Sequence, residues 1–245
     1  MEPGTRRVLV TGAGSGIGAA IARALLAQGG QVALVGRRSA PLDELARTAP
    51  GRAVPLVCDL GDPASRAGLV ARARDALGGL DGLVHAAGVI VHEEPGKISE
   101  SALREQLELN LVAPLRLGEE ALALLDEGGA ILFISSTLAI RPIRTAAVYA
   151  AAKAGLVSLT HTFAAAGAAR RVRVNALLPG VVDTQMIRAP RPGQADVAAI
   201  LDELTRLHPL GRLGTPEDLA GAALHLLAAP WTTGTALVVD GGLLL

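Results

Sequence analysis

Thr11-Gly12-Ala13-Gly14-Ser15-Gly16-Ile17-Gly18 follows a short apolar run, Arg7–Thr11, and leads into an alanine-rich helical stretch. Glycines in such a turn let the backbone approach a pyrophosphate, which then sits at the N-terminus of the next helix. Taken alone, the loop could be a turn that only packs a helix on a strand. Strand, turn and helix in succession within a first βαβ unit point instead to a dinucleotide site. Gly12, Gly14, Ser15, Gly16, Ile17 and Gly18 are the expected contacts.

Outward from this turn, apolar runs alternate with helical stretches along the whole chain. Strands are expected at Arg7–Thr11, Gln31–Gly36, Ala53–Asp59, Gly82–Ala86, Ala130–Ser135, Arg173–Leu178 and Ala236–Asp240. They lack polar–apolar alternation, as strands of a parallel sheet covered on both faces do. Ser39, Asp62 and Thr215 are expected N-caps, with Pro63 and Pro216 at the first helical position and Thr215–Asp218 forming a capping box. The pattern predicts one α/β domain over residues 1–245, a Rossmann-type doubly wound unit with a seven-stranded parallel sheet and helices on both faces. The least regular stretch, Val181 to Leu210, carries prolines at 190, 192 and 209 and is the expected substrate lid.

The 245 residues are 50% hydrophobic and 19% charged, with zero net charge. That balance allows a large core and gives no electrostatic pull towards nucleic acid or an anionic membrane. The single cysteine, Cys58, excludes an internal disulfide and fits a reducing compartment. Met1 to Arg7 has no signal-peptide h-region, and the longest apolar stretch, Gly16 to Gly36, is broken by Arg23, Gln28 and two glycines. A soluble cytoplasmic protein is expected.

The second strand ends in Gly36-Arg37-Arg38. A carboxylate here would bind the ribose 2′-hydroxyl of NAD, and none is present. Guanidiniums instead suit a 2′-phosphate, so NADP(H) is expected, with Arg37 the main contact and Arg38 beside it. Both could otherwise be solvated at the start of the next helix. Asp59, in Val57-Cys58-Asp59-Leu60, is placed to accept from an adenine amino group next to Leu60, or to cap a helix.

Of 23 cationic residues only Lys97 and Lys153 are lysine, and Tyr149 is the sole tyrosine. Tyr149 and Lys153 lie four residues apart in an alanine-rich helix and therefore share a face. A tyrosine that exchanges protons near neutrality needs its phenolate stabilised, and a neighbouring ammonium and a positive nicotinamide ring can do this together. The other reading is a half-buried tyrosine beside a solvated lysine.

These motifs resemble those of the short-chain dehydrogenase/reductase family, close to its 3-oxoacyl-carrier-protein reductase branch, over nearly the whole chain. The glycine turn and Tyr149-x-x-x-Lys153 match, as do Ser136 thirteen residues before the tyrosine, Asn110, Pro179-Gly180-x-x-x-Thr184 and the closing Val239-Asp240-Gly241-Gly242. The resemblance implies that Ser136 stabilises charge on a substrate oxygen and that Tyr149 donates its proton. It implies that Lys153 tunes Tyr149 and holds the nicotinamide ribose, and that Asn110 anchors a water. Pro179, Gly180, Val182 and Thr184 would border the nicotinamide, and Ala86, Ala87 and Gly88 would touch the cofactor through their backbone. A homotetramer or homodimer is implied as well, and no metal. Two positions depart from the family pattern. His85-Ala86-Ala87-Gly88 stands where Asn-Asn-Ala-Gly is usual, with His85 expected to be a satisfied strand-end residue. Arg171 replaces a glycine before the sixth strand, which suggests a different helix C-cap.

The expected function is NADP(H)-dependent reduction of a ketone, 3-oxoacyl or small aliphatic, to a secondary alcohol. An NAD-dependent secondary alcohol dehydrogenase and a non-catalytic NADP-binding sensor are the alternatives. Substrate contacts are expected from Val89–Lys97, Thr137–Ala147 and Val181–His208, with Leu138, Ile140, Val181, Met186 and Ile187 as apolar lining. Arg141, Arg144, Arg188 and Arg191 in these loops could grip a carboxylate or an acidic carrier protein, or be simply solvated.

Overall fold

Both faces of the sheet are apolar, so each strand feeds two cores at once. Val8 and Val10 pack with Ile21, Leu34, Leu42 and Leu226 on one side, and Leu9 packs with Val35, Leu69, Leu83, Phe133 and Leu156 on the other. Each such aliphatic side chain contributes about 1.5–3 kcal/mol by leaving water. The computed structural model describes residues 6–188 and 196–245.

The strands are β1 (Arg7–Thr11), β2 (Gln31–Gly36), β3 (Ala53–Val57), β4 (Gly82–His85), β5 (Ala130–Ile134), β6 (Arg173–Pro179) and β7 (Ala236–Val239). All pair in parallel, in the order β3-β2-β1-β4-β5-β6-β7. The expected Rossmann-type sheet is therefore the observed one. Several strands stop short of their expected ends: β3 at Val57, β4 at His85, β5 at Ile134 and β7 at Val239. The chain leaves the ladder there to wall the cleft. Strand order reverses between β1 and β4, which opens a crevice at their carboxyl ends.

The helices are α1 (Gly16–Ala27), α2 (Ser39–Arg47), α3 (Pro63–Arg66), α4 (Leu69–Leu77), α5 (Glu100–Leu107), α6 (Ala113–Leu124), α7 (Ala147–Gly167), α8 (Val197–Arg206) and α9 (Pro216–Ala228). Asp62 caps α3 by accepting from the Ala64 and Ser65 N–H groups, and Thr215 with Asp218 forms the capping box of α9. Ser39 is not an N-cap: Arg38, with extended backbone, holds that position and Ser39 is already helical. The described residues within 181–210 include a 3₁₀ turn, Gln185–Arg188, and α8, capped by Asp196. Pro190, Arg191 and Pro192 lie outside the described residues. No helix among the described residues is long and apolar enough to cross a membrane.

Candidate active site

The glycine turn meets the cleft at the N-terminus of α1. A Cβ on Gly18 would stand 2.4 Å from the Gly12 carbonyl oxygen, so glycine is needed for the helix to pack this close to the turn. Ser15 occupies the N-cap position but its side chain makes no capping bond. The first N–H groups of α1 thus receive no side-chain acceptor, which leaves an anion cradle. Gly12, Gly14 and Ser15 wall one cleft together with Arg37, Arg38, Asp59, Leu60, Ala87 and Gly88. Arg37 and Arg38 are exposed, and among the described residues neither pairs with a carboxylate. Asp59 accepts the Gly61 N–H with Oδ1, while the helix cap is Asp62. Gly16 has φ +53° and lies under Thr184, whose Cγ2 would be 3.2 Å from a Cβ there. Gly16 and Gly18 shape the turn without lining the cleft.

A second cavity of about 250 Å³ adjoins the first at Gly88. Ile17, Ala86, Ser136, Tyr149, Lys153, Pro179, Gly180, Val182 and Thr184 line it. The candidate set therefore converges from the turn after β1, the ends of β4, β5 and β6, and α7. Ser135 Oγ donates to the Lys153 carbonyl at 2.8 Å, and Lys153 Nζ donates to the Ile134 carbonyl at 2.8 Å. These two bonds pin α7 to the end of β5. Ser136 Oγ accepts from the Leu138 N–H at 3.1 Å, which holds the hydroxyl at the cavity wall. Met186 covers the phenol, with its sulfur 4.0 Å from Tyr149 Oη.

Burial sets the electrostatics. It pushes the Tyr149 phenol up to about 12, against a smaller downward pull from the Ser136 hydroxyl. It also pushes the Lys153 ammonium down to about 7. Nζ lies 5.4 Å from the centre of the ring and donates to the Ile134 carbonyl, and at the phenol burial is the largest influence. The phenol is a neutral acid near pH 7.

Asn110 lies in a π-helical turn, Glu108–Val112, that joins α5 to α6. The turn buries its side chain, where Oδ1 accepts from the Val89 N–H at 3.1 Å and Nδ2 donates to the Val89 carbonyl at 2.8 Å. Asn110 thereby clamps the loop that follows β4, and does not itself line either cavity. Pro114 carries no N–H, so the Asn110 carbonyl has no α-helical donor four residues on. That proline was a readable signal of the irregular turn.

Thr11 braces the end of β4. Its Oγ1 accepts from the Ala86 and Ala87 N–H groups and lies 3.2 Å from His85 Nδ1. His85 is only half satisfied, since Nε2 is buried with no hydrogen bond among the described residues. Burial, then the nearby Lys153, holds its pKa down to about 3, so it stays neutral.

The loop arginines separate. Arg144 pairs with Glu94 at 2.7 Å and Arg188 with Asp183 at 2.7 Å. Arg191 lies outside the described residues. Arg141 lines the second cavity and donates to the Leu243 carbonyl. Leu138, Val181, Met186 and Ile187 line that cavity as expected, whereas Ile140 does not. His92, Leu204 and Leu207, from the expected loops, join the wall, and Leu243 and Leu244 join it unforeseen from the tail. Among the described residues no group of three or more His, Cys, Asp or Glu side chains could hold a metal.

A family model described as "Enoyl-(Acyl carrier protein) reductase" matches residues 12–244. The cis-4-hydroxycyclohexanecarboxylate dehydrogenase of Sinomonas cyclohexanicum is 38% identical, over 97% of this chain and 96% of that protein. The L-xylulose reductase of Homo sapiens is 36% identical, over 97% and 96%. A solved short-chain dehydrogenase/reductase from Serratia marcescens BCRC 10948 superposes with a TM-score of 0.90 at 34% identity, covering 99% of each chain. The chain belongs to the short-chain dehydrogenase/reductase family of oxidoreductases, whose relatives here act on alcohols and ketones.

Proposed function

We propose that the protein is an NADP(H)-dependent oxidoreductase interconverting a ketone and a secondary alcohol, with Tyr149 as the proton donor. One observation carries the reading. Ser136, Tyr149 and Lys153 share a cavity that adjoins, at Gly88, the cleft walled by the glycine turn and Arg37. Uncapped N–H groups at α1 and the bare turn at Gly12 and Gly18 fit a pyrophosphate, and Arg37 and Arg38, without a carboxylate partner among the described residues, fit a 2′-phosphate. A nicotinamide cofactor held there supplies the hydride in reduction and accepts it in oxidation.

The residues do the rest. Ser136 donates to the substrate oxygen and stabilises negative charge as it grows. Tyr149 gives that oxygen its proton in reduction and removes it in oxidation. Lys153 holds the ribose hydroxyls and keeps positive charge near the phenol, and Asn110 keeps the Gly88–Val89 backbone in place. Pro179, Gly180, Val182 and Thr184 border the nicotinamide, and residues 181–210 close over the substrate as a lid of the single 1–245 domain. A buried free thiol at Cys58 supports a cytoplasmic setting.

Among the described residues the cavity wall is mostly aliphatic, with Tyr149 and His92 its only rings besides proline. That lining favours an aliphatic or alicyclic carbonyl, the kind of ring in the name of the cis-4-hydroxycyclohexanecarboxylate dehydrogenase, whereas the L-xylulose reductase is named for a sugar. NADPH oxidation measured across a panel of such ketones, with Tyr149→Phe as control, tests the reading. Activity that survives in the variant would refute the role of Tyr149.

A further inference from the structure

Four arginines fall in the loops expected around the candidate substrate cavity, and of the three described, Arg141 alone has no carboxylate partner among the described residues. Arg144 and Arg188 are each neutralised by a carboxylate. Arg141 sits among Leu138, Ile143, Leu243 and Leu244 in the cavity wall. Its described hydrogen bond is to a neutral acceptor, the Leu243 carbonyl, and among the described residues no carboxylate pairs with it.

That bond uses one nitrogen of the guanidinium fork and orients the rest of it, which suits a two-oxygen anion. Ser136 and Tyr149 are buried, whereas Arg141 is exposed. The cavity thus has a proton-transfer floor, aliphatic sides and a cationic rim. The tail is fixed so that the rim keeps its shape: Asp240 accepts from the Gly242 and Leu244 N–H groups, each at 2.9 Å.

Resting on the catalytic reading above, we propose that the substrate is anionic. It bears a carboxylate on an aliphatic or alicyclic body, and Arg141 is the residue that selects it. The carbonyl or carbinol lies at Ser136 and Tyr149, the hydrocarbon lies between the leucines, and the carboxylate meets the guanidinium at the rim. Nothing in the chemistry of hydride and proton transfer changes; Arg141 acts on binding.

The test compares 4-oxocyclohexanecarboxylate with its methyl ester, which removes the charge and adds one methyl group. The wild type should use the acid at least about tenfold better in kcat/KM, as one charge-assisted contact allows. Arg141→Met should lose that advantage through KM, change the ester less than about threefold, and recover part of it as Arg141→Lys. Arg144→Met, whose partner is Glu94, should leave the ratio unaltered. An ester used as well as the acid, an equal loss on both substrates, or an equal loss in Arg144→Met overturns the proposal. If the wild type reduces neither ketone, it is the catalytic reading that fails. Calorimetry with cyclohexanecarboxylate and the NADP⁺-loaded protein then decides the present one: binding lost in Arg141→Met supports it, and no binding to the wild type overturns it.

Discussion

Lys153 Nζ donates to the Ile134 carbonyl at 2.8 Å, so the lysine four residues after Tyr149 is tied to the end of β5. The ammonium is buried against a neutral carbonyl, and burial brings its pKa down to about 7. In the unfolded chain the same group titrates near its ordinary value of 10.5. Between these limits the unfolded state binds more protons, so this group makes the fold more stable as pH rises, by at most about 1.4 kcal/mol per pH unit. Urea denaturation of wild type and Lys153→Met at pH 7.5, 8.5 and 9.5, with those settings taken as roughly the middle of the window, isolates it. The stability difference should shift in favour of the wild type at each step. A constant difference would mean that the lysine is not desolvated in the fold.

Tyr149 titrates in the opposite sense. Its pKa is pushed up to about 12, so the proton needed for ketone reduction is present throughout the neutral range. Oxidation of the alcohol needs the phenolate and should climb with pH towards about tenfold per unit while pH stays well below the pKa. Tyr149→Phe should cut kcat by roughly 10²–10⁴-fold in both directions and leave the dissociation constant of NADPH nearly unaltered. Stopped-flow rates at several pH values, in both directions, would expose a pH-independent oxidation if another group were the base.

Arg37 stands exposed in the cleft beside Asp59, without a carboxylate partner among the described residues. Arg37→Asp should weaken NADPH binding by about ten- to hundredfold, the worth of a charge-assisted contact, and should improve NADH binding. Fluorescence titration of both cofactors reads this directly. Equal affinities in wild type and variant would remove Arg37 from the 2′-phosphate.

The sheet and the shared face of Tyr149 and Lys153 were legible in sequence because they rest on local signals, whereas Ser136 was placed beside them only by the family resemblance. Apolar runs mark buried parallel strands, and an i, i+4 spacing puts two side chains on one face. What escaped depends on long-range packing. Leu243 and Leu244 reach the cavity only because Asp240 curls the tail, and α8 hides in a stretch that its prolines mark as irregular. The partners of Arg144 and Arg188 could not be read from spacing, so four loop arginines looked alike. The Asn110 clamp on Val89 spans a gap of 21 residues, and only Pro114 hinted at the π-turn that aims it.

Arg171 was expected to signal a different helix end, yet it keeps the backbone conformation that a glycine would have. It is the one non-glycine residue with positive φ among those described, at φ 56° and ψ 19°. The geometry lets the Arg171 N–H reach the Ala168 carbonyl at 2.9 Å and the Val172 N–H reach the Gly167 carbonyl at 3.0 Å, which closes α7 before β6. A side chain in this region costs about 1–2 kcal/mol through the clash of Cβ with the backbone. The exposed ion pair with Glu127 returns about 0.2–1 kcal/mol at best. Arg171→Gly removes the clash, loses the pair and adds entropy to the unfolded chain, for a net gain of about 0.5 kcal/mol. Arg171→Val, with a branched Cβ at positive φ, should lose about 1 kcal/mol or more. The residue precedes the amino end of β6, whereas the cleft lies at the carboxyl ends of the strands, so kcat should not respond to either change. Thermal melts should rank glycine above arginine above valine. Valine melting at or above arginine would show that the turn relaxes out of the left-handed conformation at no cost.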